Sequence, residues 1–316
     1  VYITSSRCYV GLKNHPKTGK CPDGRERGLK IEVSEQSIGT VEELWRYPVK
    51  SMLGERLQSV VATTGGLIGD RAWALRDLRT GNIVSAKKWA RMFDFSASYE
   101  AQPSRGEPGR VRIELPDQSS LYADDPWASR ALSEALGFEV RLEQAATLDN
   151  SRVEADIDTD TIFGDIPVNE IYTALKPGQS IPATFGLPRG TFFDAAVIHI
   201  VSSASIERLR ELQGGTAQMV PQRFRPNVFI RTAPGLAGFI EDEWLNGATL
   251  VIGELRVDKI KPTLRCVMTT HAQSGLPRDL TVLRTAARHH TAHLGVTGRI
   301  LNEATLEIGQ PVRLLK

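Results

Sequence analysis

Cys266 is the only cysteine beyond residue 21, with Arg265 before it and Val267-Met268-Thr269-Thr270 after it. A thiol acts as a nucleophile or metal ligand once deprotonated, and an adjacent guanidinium favours the thiolate. Read alone, such a residue also fits a small buried hydrophobe. Four other fragments carry anion-binding residue types. They are Lys50-Ser51 after a Tyr-Pro bend, Asp70-Arg71 after a glycine turn, Ser202-Ser203 before a helix and Arg225-Pro226-Asn227 before a strand. Arginine grips phosphate with a fork and lysine with a point charge, while hydroxyls and the free N–H groups of a helix start complete the shell. Taken singly, each fragment is also an ordinary surface charge or helix cap. Taken with the thiolate candidate, they point to a phosphorylated ligand whose soft metal is held by cysteine.

Other chemistries lack their signatures. His289-His290-Thr291-Ala292-His293 falls in a helix predicted over Leu283 to Leu294, which would put His289 and His293 on one face. The acid of an HExxH site is missing there, and histidines in a last turn suit a helix C-terminus electrostatically. No Gly-x-Ser-x-Gly elbow, Walker loop or GxGxxG is present. Cys8 and Cys21 have only His15 between them, which fits no zinc module, and three cysteines make no disulfide framework. A reducing, cytoplasmic compartment is the resulting expectation. The formal net charge of +2 comes from residues 1–37, which carry seven Lys/Arg and four Asp/Glu. The remainder is near neutral and has no basic stripe interleaved with aromatics, which argues against nucleic-acid binding. No apolar run reaches the ~18 residues of a membrane span.

These residues need a scaffold. Residues 1–37 are rich in Gly, Lys, Pro and Ser without an apolar period, and are expected to form a disordered leader or extension. From Ile38, short alternating segments such as Val111 to Leu115 are punctuated by Gly65-Gly66, Gly69-Asp70 and Thr80-Gly81-Asn82. That spacing predicts a β-barrel or sandwich over 38–145. It contains one helix at Pro126–Gly137, capped by Asp124 or Asp125. Residues 146–190 read as an irregular connection. In 191–316 the pattern gives a strand over 195–201, a helix from Ala204 to Leu212 and a strand from Val228. A hairpin turning at Gly253-Glu254 comes next, then a proline-marked bend before Cys266, and two closing strands near 304–308 and 311–315. The fold class is α+β, mainly β.

At this point the fragments fall into a known order. Leu44-Trp45-Arg46-Tyr47-Pro48-Val49-Lys50-Ser51 is followed by Gly66-Leu67-Ile68-Gly69-Asp70-Arg71-Ala72-Trp73. Arg223-Phe224-Arg225-Pro226-Asn227 precedes Glu243-Trp244, and Lys261-Pro262-Thr263-Leu264-Arg265-Cys266-Val267-Met268-Thr269-Thr270 closes the set. From Ile38 onward the chain resembles the MOSC family with its N-terminal β-barrel domain, including the mitochondrial amidoxime-reducing component and its bacterial counterparts. The resemblance implies a MOSC-N β-barrel-like domain over 38–145 and a MOSC β-barrel domain over 191–316. It also implies a molybdenum–molybdopterin cofactor (Moco), with Cys266 as the molybdenum ligand. Lys50, Ser51, Arg71, Arg225, Asn227 and Arg265 would then hold the pterin and its phosphate, joined by Ser202 and Ser203 at a helix start. The implied activity is reduction of a small N-hydroxylated substrate by oxygen-atom abstraction. No iron–sulfur, flavin or haem signature occurs, so electrons would come from a separate reductase or ferredoxin-like protein. The alternative is a carrier, of sulfur as a Cys266 persulfide or of the cofactor itself. Leu264 stands where relatives have a small polar residue, and Leu294-Gly295-Val296-Thr297-Gly298 where they have Phe-Gly-Gln.

Overall fold

In the computed structural model, which describes residues 34–145, 157–158, 162–164, 166, 180–181, 192–194 and 196–316, the first element is the 12-residue strand β1 (Glu35–Arg46). It starts three residues before Ile38. The strands that follow are β2 (Glu55–Leu57), β3 (Ser59–Thr63), β4 (Gly66–Leu67), β5 (Trp73–Asp77), β6 (Ser96–Tyr99), β7 (Val111–Glu114) and β8 (Ser120–Tyr122). Helix α1 (Ala128–Leu136) and β9 (Val140–Gln144) complete the first half, and β10 (Ile157–Asp158) pairs with β11 (Ser180–Ile181). The second half holds β12 (His199–Ser202), α2 (Ser203–Gln213), α3 (Pro221–Phe224), β13 (Val228–Thr232), β14 (Thr249–Ile252) and β15 (Leu255–Leu264). Last come α4 (Thr281–His290), β16 (His293–Ile300), β17 (Ala304–Glu307) and β18 (Pro311–Leu315). The expected leader falls outside the described residues up to position 33, as does most of the connection 146–190.

Seven strands close into a barrel in the order β1, β18, β14, β15, β16, β12, β13 and back to β1. Ile200, Val228 and Ile230 join the apolar cluster inside it with Leu44, Leu250 and Leu314. Their sequence neighbours Val201 and Phe229 point the other way, into a cluster with Leu209, Phe224 and Val282 of the outer helical layer. This is the alternation a strand imposes. A third cluster, with Val49, Leu75, Phe93, Phe95, Ile113 and Leu132, forms the core of the first half. The fold is mainly β, as the alternating segments and turn signals indicated.

The halves exchange strands. β1 lies in the first half of the sequence but closes the barrel of the second, and β17 pairs with β3. β1 buries Ile38, Val41 and Leu44, a spacing of three where a regular strand gives two. Register shifts at Ser37/Gly39 and Val41/Glu43 account for this, since each bulge rotates the following side chains.

Several local expectations change. α1 stops at Gly137, whose left-handed backbone (φ 83°) returns its N–H to Ser133 O, but neither aspartate caps its start. Asp125 instead accepts from Tyr122 N at 2.9 Å and from Arg110 Nη2 at 3.0 Å. The strand expected over 195–201 is regular only from His199, and residue 195 lies outside the described set. Pro262 does not end β15, which runs on to Leu264. A register shift between Pro262 and Leu264 accommodates the missing N–H. The helix expected to reach Leu294 ends at His290, because Thr291 and Ala292 adopt left-handed conformations and the chain turns into β16. Ala292 O then accepts the Arg265 N–H at 2.6 Å, so pairing with β15 prevails over helix extension.

Gly39 occupies the point where β1 meets both β13 and β18, at φ 152°, and a Cβ there would lie 2.0 Å from Arg231 O. Gly39→Ala is therefore expected to cost about 1–3 kcal/mol. A urea midpoint unchanged from wild type would show that the barrel closure tolerates the side chain.

Candidate functional site

Three of the non-glycine residues with left-handed backbone are Ser51 (φ 68°), Arg71 (φ 48°) and Arg225 (φ 54°). Each lies in a fragment singled out by its residue types, and Arg225 directly follows α3. Such conformations cost of order 1–3 kcal/mol and persist only when the surroundings fix them. Here the fixing group is Asp70, fully buried, which accepts from Tyr47 N at 2.8 Å and Asn227 Nδ2 at 3.0 Å, and also pairs with Arg71 Nη1. Asn227 completes the knot. Its Nδ2 also donates to Trp45 O at 3.2 Å, and its Oδ1 accepts from His199 N at 3.1 Å and Arg71 Nη1 at 3.4 Å. Both amide hydrogens of Asn227 are thus committed to the frame that joins β1, β12 and β13.

On this frame the cations converge. Tyr47 is buried, donates its hydroxyl to Pro226 O at 3.2 Å, and lies under two guanidinium groups, Arg225 at 4.1 Å and Arg71 at 4.5 Å from the ring centre. Burial pushes its hydroxyl pKa up to about 12, so the ring acts as a neutral cation–π platform. Arg225 also faces the Phe93 ring at 5.4 Å. Burial lowers its pKa to about 10, which leaves it charged at neutral pH, yet its Nη1 is buried with no hydrogen-bond partner among the described residues. Arg265 repeats the pattern. Its Nη2 donates to Phe224 O at 2.7 Å and its Nη1 lies 3.2 Å from His199 Nε2, while its buried Nε has no partner among the described residues. Burial lowers Arg265 to about 10 as well.

His199 is held between the two arginine segments. Its Nδ1 lies 3.3 Å from Arg225 O, a carbonyl that can only accept, and its Nε2 faces the Arg265 donor. The ring is therefore the neutral Nδ1–H tautomer. Burial, and then the Arg265 charge, hold its pKa well below the ordinary value. Gly295 makes room for this ring, since a Cβ at its left-handed backbone (φ 71°) would stand 2.9 Å from His199 Nε2.

Cys266 follows directly. It is half-buried, with extended backbone, and its carbonyl accepts from Thr269 N at 3.1 Å and Thr269 Oγ1 at 3.0 Å across the short turn 267–270. Its side chain sits where the first-half core, through Met268, meets a cluster of Phe163, Leu283, Ala287 and Ala292. Arg223 locks this turn to the Arg225 turn. It is fully buried and donates to Gln218 O (2.9 Å), Thr269 O (3.4 Å), His271 O (3.3 Å) and Pro277 O (2.8 Å).

The structure thus gathers Arg71, Arg225, Asn227, Arg265 and, through the adjoining turns, Ser51 and Cys266. Lys50 joins them by donating to Phe192 O at 3.2 Å and pairing with Asp194, beside the Arg71–Phe193 contact. Ser202 and Ser203 are placed elsewhere, at the far end of β12. Ser202 caps α2 through Ser205 N (3.2 Å) and gives its own N–H to Glu241 (2.8 Å), and Ser203 exchanges hydrogen bonds with Thr232. His289 and His293 lie on different elements, and His290 stacks on Phe239 at 3.8 Å with its Nε2 3.0 Å from Asp242. No group of three His, Cys, Asp or Glu suited to a metal occurs among the described residues. Sequence reasoning gave no role to Tyr47, Asp70, His199 or Arg223. Tyr47, Asp70 and Arg223 stand inside the quoted fragments, and His199 is the one ionisable residue in an otherwise apolar run.

Residues 38–154 match the MOSC N-terminal beta barrel domain and residues 188–313 match the MOSC domain. The chain is similar to mitochondrial amidoxime reducing component 2 of Bos taurus, with 26% identity over 78% of this chain and 69% of that protein. It is also similar to mitochondrial amidoxime-reducing component 1 of Mus musculus, with 24% identity over 89% and 83%.

The neutral His199 has a measurable consequence. Below pH 6.5 the unfolded chain takes up a proton that the folded one refuses, so stability falls as pH drops from 6.5 toward the folded-state pKa. The expected slope from this residue is up to about 1.4 kcal/mol per pH unit. His199→Gln should flatten the decline in urea midpoint between neutral and mildly acidic pH. An equal decline in both proteins would contradict the assignment.

Proposed function

The chain belongs to the MOSC-domain family, and from that premise we propose that it binds a molybdenum–molybdopterin cofactor and acts as an oxidoreductase on small N-hydroxylated compounds. The observation that carries this reading is a pair of buried guanidinium nitrogens without a hydrogen-bond partner among the described residues, Arg225 Nη1 and Arg265 Nε, the second in the residue next to a half-buried thiol. Buried charged donors without acceptors are costly, and an anionic, hydrogen-bond-accepting ligand relieves them. The donor set fits as well. With a single thiol and no three-residue ligand group among the described residues, a metal here must arrive with its own ligands, as it does on a pterin dithiolene.

In this reading Cys266 is the protein's metal ligand, and Arg225, Arg265 and Arg71 supply charge-assisted donors to the pterin and its phosphate. Lys50 adds a point charge and Ser51 a hydroxyl at the same turn. Asn227 and Asp70 hold these groups in register, and His199 orients the Arg265 fork. The apolar walls beside Cys266, from Met268, Phe163 and Leu283, limit water at the reacting end. When bound, the cofactor supplies two-electron chemistry in which the substrate N–O bond is broken and the oxygen leaves as water, with two electrons and two protons. Those electrons would come from a separate donor protein. Among the described residues no helix is long and apolar enough to cross a membrane.

Protein purified from a molybdate-sufficient host is expected to carry molybdenum and pterin and to reduce a hydroxylamine or amidoxime with an artificial electron donor. Cys266→Ala should lose the activity, and Arg225→Met should lower retained cofactor about tenfold or more. Wild-type protein without molybdenum would sink the reading, and persulfide sulfur on Cys266 in its place would favour a sulfur carrier.

A further inference from the structure

Among the described residues, buried side-chain atoms without a hydrogen-bond partner gather along one stretch of chain. Besides Arg225 Nη1 and Arg265 Nε they are Thr263 Oγ1, His271 Nε2 and Gln273 Nε2, with Arg313 Nε the one exception. His271 and Gln273 are 8% and 5% exposed, and neither stands in a fragment that the residue types or the family resemblance singled out. His271 has extended backbone (φ −69°, ψ 151°), and Ala272 between the two is exposed. Alternate side chains of an extended segment share a side, so the imidazole and the carboxamide both point inward. Their backbone is fixed from two directions. Arg223 Nη1 donates to His271 O at 3.3 Å, while Gln273 N donates to Leu276 O at 3.0 Å and accepts from Leu276 N at 2.7 Å. The same Arg223 nitrogen reaches Thr269 O, which ties this segment to the Cys266 turn. The Phe93 ring joins it to the arginines, 6.2 Å from the His271 ring and 5.4 Å from the Arg225 guanidinium.

The two orphaned atoms are of opposite kind. The ring N–H of His271 bonds to the Ala86 backbone, which leaves Nε2 as a bare acceptor, and burial holds the pKa below its ordinary value, so the ring is neutral at pH 7. Gln273 Nε2 is a donor. An anion would set its lone pairs against that of His271 Nε2, and a cation would be repelled by Arg278, whose charge reaches the ring. A neutral group that both donates and accepts satisfies the two together. Side chains rooted two residues apart stand about 6.5 Å apart in an extended chain. One oxygen making two hydrogen bonds of about 2.9 Å spans such a gap.

We propose that His271 and Gln273 form the subsite that receives the N-hydroxyl group of the substrate, the hydroxyl donating to His271 Nε2 and its oxygen accepting from Gln273 Nε2. This rests on the reductase reading above and adds two specificity-determining residues to it. A site built to hydrogen-bond a hydroxyl rejects analogues that lack it, because its own buried groups are then left unpaired. The arginines discriminate by charge, whereas this neutral pair discriminates by the presence of the N–O–H proton.

The test follows the imidazole nitrogens by NMR in the full-length, cofactor-loaded protein carrying isotope-labelled histidine, without an electron donor. The His271 signal is the one missing from His271→Phe. The probes are benzamidoxime and its O-methyl ether, which has nearly the same shape but no hydroxyl proton. Benzamidoxime is expected to move the Nε2 signal in the direction of hydrogen bonding, and the ether to leave it in place. Gln273→Met, which keeps the volume and removes the donor, should raise both Kd and KM for benzamidoxime about tenfold with kcat within about twofold of wild type. Its Kd for the ether should not change. Circular dichroism melts identify a variant that has failed to fold, and the two probes on wild type then decide the matter. A signal that moves on cofactor loading but not with benzamidoxime would assign the pair to the lactam edge of the pterin and overturn the proposal. A signal that answers to neither would mark a shared buried water, and an equal response to both probes would show no reading of the hydroxyl. Either result overturns it too. Molybdenum is measured on the same samples. Its absence would sink the cofactor reading, and the same probe pair on the empty chain then decides the subsite by the same criterion.

Discussion

Burying guanidinium groups beside one another is the constraint on which the rest of this structure depends. Arg71, Arg225 and Arg265 meet at a seam between the outer wall of a barrel and the core of the first half. Withdrawing such ions from water costs several kcal/mol each, and the protein offsets this in part. Tyr47 gives two of them an aromatic face, contributions of about 0.5–2 kcal/mol each. Asp70 takes one charge, and the Phe224 carbonyl and His199 take two of the Arg265 donors. Arg225 Nη1 and Arg265 Nε remain without partners among the described residues. The residual positive charge is what the phosphate of the proposed cofactor would neutralise, and Cys266 stands at the edge of the seam.

The barrel's part is indirect. Its interior is filled with apolar side chains, and the site lies on the opposite faces of the same strands. His199 begins β12 and Asn227 immediately precedes β13, at the end where β1 leaves the barrel for the Tyr47 turn. Because β1 closes the barrel and also leads into the Lys50-Ser51 turn, barrel closure and site geometry are mechanically one thing. Arg223 does the equivalent for the other side, fastening the Cys266 turn to the Arg225 turn through four carbonyls. A lysine there could not reach four acceptors with its single nitrogen, so the fork geometry is what fixes the relation between thiol and guanidinium.

Much of this was legible in the sequence, for physical reasons. Val111–Glu114 alternates because one face is buried and the other is wet, and the Gly253 turn marks itself. The Lys50, Arg71, Arg225 and Cys266 fragments showed as polar residues at element ends. What could not be read depends on distant partners. β1 buries Ile38, Val41 and Leu44 at a spacing of three because bulges adjust it to two neighbours far along the chain, so its period there is not that of a regular strand. α4 has helix-forming residues past His290, yet the Ala292 carbonyl is captured by Arg265, just past the end of β15. Ser202 has the composition of an anion-binding helix start, but Glu241, nearly forty residues away, accepts its N–H. His199 and Asp70 look unremarkable locally and gain their roles only when the turns assemble.

The most direct measurement of the central claim is X-ray absorption at the molybdenum edge of the purified protein and of Cys266→Ser. The account predicts one more sulfur scatterer around the metal in wild type than in the variant, since Cys266 would be the protein's ligand to the metal. An identical sulfur count in the two proteins would contradict it.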